Sequence, residues 1–237
     1  MAEELKQQPD YVGHRARLRE RFLLDDGACM PDYELLELLL TYAIPRRDVK
    51  PIAKKLLKVF GSLERVLHAP TQELREKCGI TDNTITLFHL FISCNLRISS
   101  MQFADSGKAA YSVWQNFIDY CNSKLGYKEI EESWAFFFNT RMEFIKEIQL
   151  STGTMNHSSI PLQKIIYEAI KQNAFYVVLA HNHPSGICAP SEADKALTAY
   201  IAEGLKIAGL SLFDHIVVTS HQHFSFRANG YIETEKK

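Results

Sequence analysis

Two histidines one residue apart, His181 and His183, are followed by a carboxylate eleven positions beyond the second, Asp194. Neutral imidazole nitrogen and carboxylate oxygen form a donor set that suits zinc. Three such ligands leave a fourth position for water, as a catalytic zinc site requires. Asn182, Pro184, Ser185, Gly186, Cys188 and Ser191 lie between these residues. Pro184 stiffens the turn, and Gly186 permits a tight backbone path. Ser191 and Asp194 also read as a Ser-x-x-Asp capping box at a helix start. Ser191 is therefore either an ordinary cap or a donor to a water or oxyanion. A lone His-x-His pair arises readily by chance, so the chemistry rests on the combination.

These residues need a rigid frame. Phe175–Ala180 reads as a buried strand, and a run with helical spacing begins at Ser191. The cluster thus falls between a strand end and a helix start, where α/β proteins commonly carry their sites. Around it the pattern predicts a helix over 109–124, strands over 132–139 and 144–150, and a helix over 161–171. A helix over 191–208 follows, then a strand over 212–218 and a short edge strand over 223–226. This order implies an α/β fold, a mixed sheet flanked by helices.

Residues 1–104 read differently, as a small all-helical domain without strands. Asp32 stands where it could cap a leucine-rich helix over 33–40, and Pro45 ends that segment. Pro51 suits the first turn of a helix that Gly61 stops. A last helix is expected over 82–96. Turns at Gly61 and Gly79 resemble degenerate helix-hairpin-helix elements, which present backbone N–H groups to a nucleic-acid phosphate. Arg15, Arg17, Arg19 and Arg21 form one basic patch; Arg46, Arg47, Lys50, Lys54, Lys55 and Lys58 form another. DNA binding through this domain is an expectation, set against solvated helix faces or a protein-docking surface. The polar stretch 99–107 marks the boundary with a second domain over 105–237.

The chain has 237 residues, 46% of them hydrophobic, enough for one large or two smaller cores. A net charge of -1 argues against a polyanionic partner held by bulk charge alone. The 5 cysteines show no CxxC spacing and read as mostly buried thiols in a reducing compartment. No apolar run suggests a signal peptide or a membrane span, so a cytoplasmic location is expected. Homodimerisation is compatible with the sequence and not specified by it.

His181-x-His183-Pro184-x6-Ser191-x2-Asp194 resembles the signature of the JAB/MPN (JAMM) metallopeptidases. HNHPSG, the SEAD helix start, Leu212-Phe213-Asp214-His215-Ile216-Val217-Val218 and Ser225-Phe226-Arg227 more closely resemble the bacterial RadC-like (UPF0758) family. So do RARLRERFLL, YELLELLL and FGSLERVL near the N-terminus, and the likeness runs from about residue 14 to 230. The resemblance implies a cytidine-deaminase-like fold for the second domain and a zinc held by His181, His183 and Asp194. It also implies an upstream glutamate as general base. Glu147 matches that position best, because a charge inside an apolar strand otherwise lacks a reason; Glu143 is the runner-up. Asn182, Pro184, Ser185 and His215 are expected around the site, His215 in support of the ligands. Cys188 is expected to be a bystander. Peptide or isopeptide hydrolysis is the implied activity. The alternative is a DNA-associated repair or recombination accessory whose metal is structural or differently used.

Overall fold

The computed structural model describes residues 13–104, 110–153 and 161–233. It contains two compact units, Met1–Cys94 and Asn95–Lys237. In the first, the described residues are helical: α1 (His14–Asp25), α2 (Asp32–Ala43), α3 (Lys50–Phe60), α4 (Leu63–His68), α5 (Thr71–Cys78) and the start of α6 (Asp82–Ala104). Leu36 and Leu40 of α2 pack with Ala53 and Leu56 of α3 and Phe88 of α6. Asp32 is not the cap expected of it. Pro31 holds that position, and Asp32 opens the first helical turn. Gly61 ends α3 at φ +93°, a conformation that a side chain would strain.

The boundary falls earlier than the polar stretch suggests. α6 continues through Ala104, and its second half belongs to the C-terminal unit. Leu96 and Phe103 explain this, because both pack into an aromatic cluster with Phe117, Phe136 and Phe138. The serines between them gave the segment its linker-like look.

The second unit continues with α7 (Ala110–Leu125), β1 (Glu132–Phe138), β2 (Phe144–Thr152), α8 (Leu162–Lys171), β3 (Tyr176–Asn182), α9 (Glu192–Ile207), β4 (Ser211–Val218) and β5 (His223–Ser225). The strands form one mixed sheet in the order β2-β1-β3-β4-β5. Only β3 and β4 are parallel, with α9 as the crossover between them. The apolar run of β1 is buried on both faces. Phe136 and Phe138 pack with Phe117 and Ile118 of α7, whereas Ala135 and Phe137 pack with Ile165 of α8 and Leu197 of α9. Burial on both faces removes the alternation that an exposed sheet would show.

The 5 cysteines are unpaired, but only Cys121 is buried, which corrects the expectation for most of them. Among the described residues, no helix is long and apolar enough to cross a membrane.

Candidate metal centre

β3 ends in His181 and Asn182, and the N–H of His183 donates to Val218 O at 3.0 Å, prolonging the pairing with β4. The chain then turns through Pro184 and Ser185 at Gly186, whose φ is +80°. The Gly186 N–H donates to His183 O at 3.0 Å, closing the turn. Ser191 caps α9, and Asp194 sits in its first turn. The imidazoles and the carboxylate converge as a result. His181 Nε2 lies 3.0 Å from His183 Nε2, and each is 3.4 Å from an oxygen of Asp194. Glu131 joins them, so that one ligand atom from each of Glu131, His181, His183 and Asp194 lies within 4.8 Å of the others.

The hydrogen bonds around the rings indicate where their protons reside. His183 Nδ1 is 2.8 Å from Ile187 O, and a carbonyl only accepts, so Nδ1 carries the hydrogen. A neutral His183 then turns its Nε2 lone pair toward the cluster. Nδ1 of His181 meets Nε2 of His215 at 2.8 Å inside the protein. Two ring nitrogens 3.0 Å apart beside a carboxylate need a proton or a cation between them. A divalent metal ion meets that need, and the donor set fits one.

Electrostatics agree with this geometry. Burial, reinforced by the neighbouring His215, drives His181 well below the ordinary histidine range. Burial likewise takes His215 down to about 4. Hydrogen bonding to Asp194 raises His183, against its own partial burial. For Asp194, burial alone would favour the protonated acid. Bonds from His183 and Ser191, together with the electrostatic pull of His181, overcome it and hold the carboxyl below its usual range.

Glu147, expected as the base, is not brought to this cluster. Phe136 pairs with Glu147 across β1 and β2, so the glutamate lies on the α7 face of the sheet. Its carboxylate accepts from Tyr120 Oη at 2.9 Å and pairs with Lys124 Nζ. His181 is on the other face, near α9. Its cross-strand partner on β1 is Ser133, two residues beyond Glu131. Glu143, the runner-up, is tied to the turn by Asn139 Nδ2 and by Arg141 at 3.3 Å. Glu131, which the strand pattern does not single out, immediately precedes β1 and lies outside β2, where the resemblance points to Glu147. The available signal was an acidic pair, Glu131-Glu132, opening the strand beside β3.

Asn182 places this glutamate. Its Oδ1 accepts the Glu132 N–H at 2.8 Å, while Nδ2 donates to Ile130 O at 3.2 Å and Lys128 O at 3.1 Å. Ser191 completes the capping box: its oxygen accepts the Asp194 N–H at 3.1 Å and its own N–H donates to Asp194 Oδ2 at 2.7 Å, to which its hydroxyl also donates at 2.6 Å. Ser185 Oγ accepts from Ile187 N–H at 3.4 Å within the turn. The Cys188 thiol points to Gln222 Oε1 at 3.6 Å. Asp214 is buried, accepting from Ser225 Oγ at 2.5 Å and Arg227 N–H at 2.9 Å, and so locks β4 to the turn after β5.

Residues 111–231 match the family model of the RadC-like JAB domain. A UPF0758 protein of Ruegeria pomeroyi is 36% identical over 225 residues, covering 94% of this chain and 100% of the relative. A second, from Fusobacterium nucleatum, is 38% identical over 228 residues, or 94% of this chain and 98% of its own. The chain belongs to the RadC-like (UPF0758) family. A third member, from Rhodobacter capsulatus, is 36% identical over 215 residues, covering 91% of this chain and 100% of its own. The RadC-like domain spans every residue of the metal cluster. The basic residues of the helical unit lie outside it, and the first patch is partly spent on internal contacts. Arg15 donates to Thr41 O at 3.2 Å, Ile44 O at 2.8 Å and Arg47 O at 2.6 Å, and Arg21 pairs with Glu34 at 2.7 Å.

Proposed function

We propose that this RadC-like protein is a cytoplasmic, zinc-dependent metallopeptidase of the JAMM type that hydrolyses peptide or isopeptide bonds. The observation that supports this reading is the convergence of two imidazoles and two carboxylates between the end of β3 and the start of α9. The JAB family includes metallopeptidases, which is consistent with it. His181, His183 and Asp194 would hold the metal. When bound, zinc supplies Lewis acidity for water activation and for polarising the scissile carbonyl.

The remaining work falls to the chain itself. Glu131 takes the proton of the attacking water on its carboxylate and returns it to the leaving amine. Asn182 keeps that carboxylate in place by holding the backbone on both sides of it. Ser191 turns its hydroxyl hydrogen from Asp194 Oδ2 toward the oxyanion, while its backbone N–H, 2.7 Å from Oδ2, continues to orient the aspartate.

The test pairs metal analysis of the purified protein with a peptide-library cleavage screen of wild type against Glu131→Gln. The reading expects stoichiometric zinc in both proteins and cleavage by wild type alone. A native protein with no affinity for zinc overturns it.

A further inference from the structure

We propose that Thr198 is a positioning residue for His181: acting through His215, its hydroxyl fixes which ring nitrogen of His181 faces the metal. The inference rests on the metal-site reading above. It concerns two buried residues, Thr198 and His215, that lie outside the cluster of Glu131, His181, His183 and Asp194.

The chain of contacts starts on α9. Thr198 Oγ1 lies 2.6 Å from Asp194 O and 2.7 Å from His215 Nδ1. Two oxygens at 2.6 Å need a hydrogen between them, and the carbonyl has none to give. The single hydroxyl hydrogen therefore goes to Asp194 O, leaving the Thr198 oxygen as an acceptor toward His215. His215 Nδ1 must donate to it. The ring is 1% exposed, neither of its nitrogens meets a carboxylate, and Phe226 stacks on it at 4.7 Å, so the neutral form is retained in one orientation. Neutral His215 with hydrogen on Nδ1 has a lone pair on Nε2. That lone pair accepts from His181 Nδ1 at 2.8 Å. The hydrogen of His181 is thereby held on Nδ1, and its Nε2 lone pair points to the cluster.

Metal-binding histidines usually gain this control from a carboxylate or backbone carbonyl on the second nitrogen. A neutral imidazole is different, because it can accept or donate according to its own tautomer. His215 cannot set His181 unless something sets His215, and Thr198 does so. The hydroxyl belongs to the same helix turn as Asp194, so one turn of α9 presents one ligand and fixes the tautomer of another.

The experiment uses the full chain, with imidazole nitrogens labelled with nitrogen-15. In the metal-free wild type, His181 should show hydrogen on Nδ1 and a bare Nε2; the opposite tautomer overturns the proposal without any variant. Thr198→Val keeps the shape and removes the hydroxyl. It should give mixed His181 tautomers and weaken zinc binding about 10- to 100-fold in competition with a chromophoric chelator. Thr198→Ser should restore both readouts. A Thr198→Val protein with wild-type tautomer and zinc affinity overturns the relay. A wild type that shows the expected tautomers yet binds no zinc sinks the metal-site reading and leaves the relay standing.

Discussion

The amide of Asn182 grips the chain on both sides of Glu131, through Ile130 O at 3.2 Å and Glu132 N–H at 2.8 Å. The residue between the two histidines of the candidate metal centre thus positions the glutamate. Asn182→Ala should keep its zinc but lose about 10- to 100-fold in turnover, the usual scale for a residue supporting a metal site. Metal content and kcat measured on the same preparation check this, and unchanged kcat would remove the clamp.

Glu131 and Glu147 should separate cleanly. Glu131→Gln is expected to retain zinc and lower hydrolysis by about 10²- to 10⁴-fold, the range for a lost general base. Glu147→Gln should leave turnover near wild type. It should instead cost about 1–3 kcal/mol of stability, because Lys124 is only 12% exposed and loses its carboxylate. Denaturant melts and rates for both variants decide the assignment, and an inactive Glu147→Gln would reverse it.

Glu147 also marks where the sequence stops being legible. The strand-turn-helix frame and the convergence of His181, His183 and Asp194 follow from local patterns, because the three candidate ligands lie on one strand end, the turn after it and the first turn of the next helix. Glu131 stands just before β1 and reaches the end of β3 only through the pairing of Ser133 with His181, so finding it requires cross-strand register. The face on which Glu147 lies depends in turn on the β1–β2 register, which shifts twice, between Ser133 and Trp134 and again between Phe137 and Phe138. Each shift changes the correspondence between residue number and sheet face. With Trp134–Phe138 apolar throughout, no alternation remains from which to recover it.

Ser191→Ala should keep zinc bound and lose about 1 kcal/mol from the cap of α9. If its hydroxyl serves the oxyanion, kcat falls by about 10²-fold as well. Thermal melting together with kcat distinguishes the two contributions, and a full-rate Ser191→Ala would leave the residue as a cap alone.

Gly126 stands where the chain leaves α7 for the segment that carries Glu131. A Cβ there would lie 2.6 Å from Thr219 O and 2.7 Å from Asn122 O, both backbone atoms. Gly126→Ala should therefore destabilise the protein by about 1–3 kcal/mol. It should also slow hydrolysis by displacing Glu131. A melting temperature equal to that of wild type would show that the backbone yields more than the packing suggests.

Because Phe103 lies within 5.1 Å of the Phe117 ring and 4.8 Å of the Phe144 ring, the C-terminal unit of this chain cannot be cut where its polar stretch invites a cut. A fragment starting at residue 105 gives up the wedge between those rings and exposes aromatic surface that would drive aggregation. One starting at Asn95 keeps it. The last turns of α6 are a plug for the sheet, and the place to sever this protein is inside a helix.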